Sequence, residues 1–351
     1  MIRAEPDLLA DLADDRDATA TAPPPRRAQT RRTVANPLGP RDFPFLAAPI
    51  PAWARASGRA GQGDPLFFAG AGLALLDAFL RHDPPAAGAL RARLAVQSAA
   101  ASAKILRLNA DERTLRDLRF AVTGEPPPAA NLLKLWRDLA VRPPALDAGR
   151  VATAAAALDV QAPNADALAG TLREQSRIGD PVSAAAKAAA AVFSIFPDAP
   201  AAEAEILALW AFDLALAIRL RWSRPVPLIA TRILDPSIRS GGGGRHAQPG
   251  DPGWSNTAAA AISLAAASAL DLAADLSRRA DTLLAAAPKL RSKPAAKIVD
   301  LLLREDCVAP GEAARHGPMT DRAARRLFDR LVALGAAREF SGRLTFRLYG
   351  L

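Results

Sequence analysis

The 351-residue chain has one cysteine, Cys307, which excludes an intramolecular disulfide framework and a cysteine-rich zinc site. Its three histidines, His82, His246 and His316, have no second His or Cys at metal-ligand spacing. Each is expected to be a surface or capping side chain, with no metal or other cofactor. Aromatic residues make up only 5% of the chain, so the core must come from Leu, Ala and Val around anchors such as Trp136 and Trp210. Catalytic signatures are missing as well. FAGAGLAL has Gly70 and Gly72 but neither a third glycine nor a preceding strand, so close helix packing is expected rather than a dinucleotide. SGGGGR at 240–245 lacks the Lys-Ser/Thr of a phosphate loop and reads as a tether. The chain is therefore read as a non-enzyme.

Membrane signals are also lacking. MIRAEPDLLADLADDRD is acidic and has no basic start followed by an apolar core, unlike a secretory signal. The most apolar run, ILALWAFDLALAI (206–218), is short for a span and is interrupted by Asp213. A cytoplasmic protein without a membrane partner is expected. Lysine is scarce, 6 against 39 arginines, which points to coding bias rather than to selection for arginine chemistry. Position is more informative than the net charge of +9. From Lys289 to Leu351 there are 13 basic and 7 acidic residues, and this local surplus suits an anionic partner.

What is present is helix. Alanine in quantity, with few β-branched residues, favours it. Residues 1–42, an acidic head followed by TATAPPPRRAQTRR, carry no apolar period and are expected to be disordered. A body over 43–288 follows, read as a multi-helix bundle. Asp64 and Pro65 start LFFAGAGLALLDAFLRHD, and further helices follow in AAGALRARLAVQSAAASAKILRL, ADERTLRDLRFAVTG, AANLLKLWRDLA, an alanine-rich pair between 145 and 175, and VSAAAKAAAAVFSIF. AAEAEILALWAFDLALAIRLRW is apolar all round and is expected at the centre. Residues 223–254 read as a Pro/Gly-rich loop. Five arginines (221, 224, 232, 239, 245) punctuate that stretch, which is expected either to add phosphate contacts or to be a mobile linker. Ser255 or Asn256 is expected to cap the long helix that ends at Pro288.

Residues 289–351 change character. AAKIVDLLLRED is amphipathic through Ile298, Val299, Leu301 and Leu302, CVAP is extended, and GEAARHG is a short helix ended by Gly317-Pro318. In TDRAARRLFDRLVALG, Thr320 is the cap, Asp321 suits the positive end and Gly335 suits a left-handed stop. AAREF and RLTFRLY alternate like strands joined by a two-residue turn, Ser341-Gly342. That order is a C-terminal winged helix-turn-helix with a short β-hairpin, so the whole chain is expected to be mainly α. At 100° per residue, Ala324, Leu327, Phe328, Leu331 and Leu334 share the packing side. Arg322, Arg325, Arg326 and Asp329 take the opposite side, with Arg330 at the flank. The candidate DNA-binding set is Thr320, Arg322, Arg325, Arg326 and Arg330, with Arg338 and Arg343 from the wing. The alternative is a solvated or protein-docking face on which Asp329 ties up Arg325 and Arg326.

Three aspartates, Asp77, Asp213 and Asp271, interrupt apolar helices. They are expected in structural ion pairs or edge positions. Convergence on a metal would be the alternative, but the Glu-x-x-His partners of such sites are missing.

APKLRSKPAAKIVDLLLREDCVAP, RWSRPVPLIATRILDP and the ending TDRAARRLFDRLVALGAAREFSGRLTFRLYGL together resemble an alphaproteobacterial family, domain of unknown function 1403, often carried on plasmids. PAWARA and LALLDAFLRHDPPAAGAL are similar to its start, so the resemblance spans about residues 45–351. It implies no activity. The terminal module also resembles the winged-helix tails of bacterial regulators and of Fic-type proteins, whose HPFxxGNGR-like catalytic motif is missing. The expectation is a DNA-binding protein in regulation or in plasmid or chromosome maintenance, with double-stranded DNA as partner. The helical body would serve self-association or a protein partner. The alternative is an adaptor whose winged helix docks on protein.

Overall fold

Alanine and leucine at helical spacing, punctuated by proline and glycine, form thirteen α-helices among the described residues of the computed structural model. It describes residues 50–56, 63–121, 124–161, 165–177, 179–196, 199–239, 246–290, 294–317, 319–343 and 346–351. The expected tail over 1–42 and the SGGGGR stretch lie outside the described residues.

The body holds α1 (Pro65–Arg81), α2 (Ala87–Ile105), α3 (Glu112–Ala121), α4 (Pro128–Val141), α5 (Ala148–Ala156), α6 (Ala165–Gln175), α7 (Pro181–Ile195), α8 (Ala201–Arg219), α9 (Ile229–Arg232) and α10 (Trp254–Ala286). After it come α11 (Ala295–Arg304), α12 (Pro310–His316), α13 (Asp321–Ala333) and two short strands, β1 (Arg338–Glu339) and β2 (Tyr349–Gly350). The chain is mainly helical, as its composition implies.

Caps set the starts. The Asp64 carboxylate accepts the Leu66 N–H at 2.9 Å, and Asp180 accepts those of Val182 and Ser183. The centre is α8, buried from Ala204 to Ala217, as its predominantly apolar character requires. It lies against α7, while α10 lies along α1 and α2 along α4. Small residues let these axes approach. A Cβ at Gly72 would stand 2.9 Å from the Ala266 Cβ, so the glycine serves α1–α10 packing, whereas Gly70 faces open space. Among the described residues, Trp254–Leu290 is the one helical stretch long and apolar enough to cross a membrane, and most of it is buried inside the fold.

Several expectations are corrected. The long helix begins at Trp254 with no side-chain cap, so neither Ser255 nor Asn256 starts it. The buried indole fixes that start by donating to the Ala186 carbonyl at 2.9 Å. Residues 223–254 are not all loop. Val226, Leu228, Ile229, Ala230 and Ile233 are fully buried in and around α9, because the run VPLIATRIL is apolar enough to join the core. The hairpin is not closed by a two-residue turn. Arg338 pairs with Gly350 and Glu339 with Tyr349, while Val308 bridges Tyr349 from the other side. Burial of Tyr349, stacked on Phe328 at 4.5 Å, favours this register over the tighter turn. On α13, Ala324, Phe328 and Leu331 are buried as projected, but Leu334 is exposed.

Candidate nucleic-acid interface

The platform under α13 is a buried charge network between body and terminal segment. Arg113, Arg116 and Arg119 recur every three residues on α3 and so share one face. Arg116 Nε donates to Asp306 Oδ2 at 2.6 Å, and Arg93 of α2 donates to Oδ1. The Arg93 and Arg116 guanidiniums lie over the Phe340 ring, 5.0 and 5.3 Å from its centroid respectively. Arg119 bridges Glu312 at 2.6 Å and Glu305 at 3.1 Å, and Arg137 of α4 reaches Glu305 at 2.8 Å. Arg113 donates to the Ser341 carbonyl at 2.8 Å.

Asp306 is 2% exposed. Burial alone would push its carboxyl up, but Arg93 and Arg116 outweigh that and hold it below the usual carboxylate range. Glu312 goes the other way. Burial raises it despite Arg119, and its Oε2 has no hydrogen-bond partner among the described residues. Beside Asp306, burial and that carboxylate push the Cys307 thiol up to about 12. Where α2 meets the end of α11, a Cβ on Gly88 would come within 2.8 Å of Arg304 Cα, so glycine is needed there. None of this network was flagged in the sequence. The three-residue arginine spacing on α3 was the signal available.

The α13 helix stands on this platform. Thr320 caps it, its hydroxyl accepting the Ala323 N–H at 3.2 Å, and Gly335 ends it at φ +68°. The arginines then divide. Arg325 pairs with Asp321 at 2.8 Å, and Asp329 faces Arg347 at 3.4 Å and the Tyr349 hydroxyl at 3.3 Å. Asp329 therefore does not restrain Arg325 or Arg326, because Tyr349 and Arg347 hold it on the strand side. Arg322 and Arg326 are exposed and hold no ion pair among the described residues. Arg330 continues the same i, i+4 line and donates to the Lys289 carbonyl at 3.3 Å. Arg338 is exposed on β1. Arg343 is directed to the body, paired with Asp117 at 2.8 Å, and Phe346 nearby meets Phe120 edge-on at 6.0 Å.

Thus the fold aligns Arg322, Arg326 and Arg330 along one exposed side and sets Arg325, Arg338 and Arg343 apart from that line. A groove of about 420 Å³ flanks α13 on the Asp321–Arg325–Asp329 side and is lined also by Phe120, Phe346 and Arg315.

The three interrupting aspartates do not converge. Asp77 pairs with Arg81 at 2.7 Å and accepts the Trp222 indole N–H at 2.9 Å. Asp271 pairs with Arg55 at 2.6 Å. Asp213 is fully buried and, among the described residues, has no arginine partner. It accepts the backbone N–H groups of Leu228 and Ile229 at 2.8 and 3.2 Å, and burial pushes its carboxyl up to about 8. No group of three or more His, Cys, Asp or Glu side chains is placed to hold a metal among the described residues. His246 also differs from expectation. Its Nε2 lies 2.5 Å from the buried Glu205 Oε1, so it is a core partner rather than a surface side chain. His82 and His316 sit at helix ends.

Of the five arginines at 221–245, Arg232 is engaged with Ser268 at 2.6 Å, while Arg221, Arg224 and Arg239 are exposed. Arg245 lies outside the described residues. No curated protein matches the chain. A family model matches residues 43–351, the whole span of the resemblance, and the chain belongs to that family, described as Protein of unknown function (DUF1403).

Proposed function

We propose that residues 294–351 act as a winged helix-turn-helix that contacts double-stranded DNA, and that the helical body serves self-association or partner binding. The order α11, Val308 bridge, α12, α13, β1, β2, with Val308 and β1 on either side of Tyr349, supports the winged-helix reading. One observation carries the DNA reading. Among the described residues, Arg322 and Arg326 are exposed without a carboxylate partner on a capped helix, while Arg325, Arg343 and Arg347 next to them are all ion-paired.

In a helix-turn-helix the N-terminal half of this helix enters the major groove. There an arginine forks to a guanine edge or grips a phosphate. A regulatory or plasmid- or chromosome-maintenance role in the cytoplasm follows from that reading. The wing contributes little, because Arg343 is held by Asp117. The test is fluorescence anisotropy with a labelled duplex. Replacing Arg322, Arg326 and Arg330 by alanine should weaken binding by at least about tenfold, and Arg343→Ala should leave it near wild type. A wild-type protein that does not bind the duplex, or a triple variant that binds as well as wild type, overturns the proposal.

A second reading is favoured by the groove beside α13, where Phe120 and Phe346 face a mixed set of charges. Such a surface suits a protein segment, making the chain an adaptor. A partner retained after nuclease treatment and lost on Phe346→Ala supports this reading. If nuclease removes every partner, it fails.

A further inference from the structure

We infer that the outward face of α1 pairs with the same face of a second copy of the chain, the two helices running antiparallel about a two-fold axis. This rests on the self-association proposed above for the body and assigns it a face. From Leu66 to Leu76, α1 has no polar side chain. A helix apolar all round belongs in an interior. Among the described residues, α1 is fully covered on one side only, the side that meets α10 at Gly72. On the other side, Phe67, Gly70, Ala71, Ala74, Leu75 and Ala78 fall within one arc at 100° per residue. Phe67 is 50% exposed, and Trp53, whose ring lies 6.2 Å from it, is 73% exposed. Gly70 and Ala74 are exposed as well, and the other three are half-buried.

The order of sizes along this face fits a second copy of itself. With the two-fold axis passing between Gly72 and Leu73, position 67 lies opposite 78, 70 opposite 75 and 71 opposite 74. Phe67 then stands over Ala78. Leu75 enters the notch at Gly70, where a Cβ would have nothing within 4 Å. Ala71 and Ala74 let the two helices close at the centre. Each large side chain meets a small one, and meets it twice, as an isologous interface requires. The ends agree in charge. Asp64 at the N-terminus falls opposite Arg81 at the C-terminus, whose side chain is 58% exposed although Asp77 pairs with it along the helix. The two helix dipoles are also opposed.

A lipid surface fits this face less well. Interfacial helices border their apolar side with Lys and Arg, whereas this one is bordered by Asp64 and Asp77 and has Arg81 alone at its end. At about 25 Å long and 10 Å wide, the face is small for a permanent complex. The pair therefore forms reversibly, in the micromolar range.

The test is sedimentation equilibrium of the full chain from low to high micromolar concentration. Wild type should pass from monomer to dimer. Gly70→Leu should weaken the dimer by at least about tenfold, because leucines at 70 and 75 then collide across the pair. Within one chain the new side chain points into open space and favours helix, so circular dichroism and Tm should match or exceed wild type. Adding Leu75→Ala exchanges the large and small positions and should restore the dimer, a rescue specific to this register. A dimer that survives Gly70→Leu leaves self-association standing through another face and overturns this one. Loss without rescue overturns the antiparallel pairing. A chain that stays monomeric throughout overturns self-association of the body, and this pairing with it. Flotation of wild type, but not of Gly70→Leu, with phosphatidylcholine–phosphatidylglycerol vesicles and no dimer in solution assigns the face to lipid and overturns the pairing.

Discussion

Replacing Asp306 by alanine removes the acceptor on which the terminal segment is seated. The side chain is 2% exposed, and Arg93 and Arg116, themselves largely buried, both direct a guanidinium at it. Deleting one member of a buried ion network leaves the others desolvated and unpaired, at a cost of about 3–5 kcal/mol. With an unfolding entropy of roughly 2.1 cal/mol/K per residue, a unit of this size should melt about 4–8 °C lower. Differential scanning calorimetry reads that shift, and limited trypsin digestion reads whether the terminal segment has come away from α3. Asp306→Asn, which keeps the shape and one acceptor, should fall between the two. The effect also has a pH signature. The carboxyl's folded pKa is depressed, so its contribution is complete above its unfolded value of about 3.9 and is lost as pH falls through the folded value. A Tm within a degree of wild type and unchanged digestion would refute the claim that Asp306 organises the junction.

Asp213 should behave in the opposite sense. Its carboxyl is raised to about 8 in the fold, so the stability it contributes is present at low pH and declines as pH rises from about 4 towards 8. Asp213→Asn should flatten that slope in urea titrations at several pH values, and an unchanged slope would contradict the assignment. Cys307, buried with its thiol pushed up to about 12, should resist Ellman's reagent in the native protein and react once unfolded. Rapid native labelling would contradict that. Gly350→Ala would set a Cβ 2.5 Å from the Asp306 carbonyl oxygen and the Phe340 ring. It should cost about 1–3 kcal/mol by overpacking, measured as a lower urea midpoint.

The helices were legible because their signals are local. Asp64 and Thr320 cap the helices they precede, Gly335 adopts the left-handed φ its position suggests, and the largely apolar run at 201–219 is the buried centre. What was not legible depends on distant partners. Asp306 meets Arg93 from 213 residues away, and nothing in REDC announces that. Asp213 is expected in an ion pair or at an edge, but its partners are backbone N–H groups that a list of side chains does not contain. Asp329 looked poised to hold Arg325 and Arg326 from helix spacing alone. The strand register, set by burial of Tyr349, brings Arg347 and the tyrosine hydroxyl to it instead. The same register explains why Arg343 is paired with the body and why the exposed arginine line is narrower than the sequence suggests.

The salt dependence of DNA binding tests the central claim most directly. Three arginines that each neutralise one phosphate should contribute a slope of about −2.7 to log affinity against log salt. The account predicts that replacing Arg322, Arg326 and Arg330 by alanine flattens the wild-type slope by about that amount. Equal slopes for wild type and the triple variant, or no salt-sensitive retention of duplex by the wild-type chain, would contradict it.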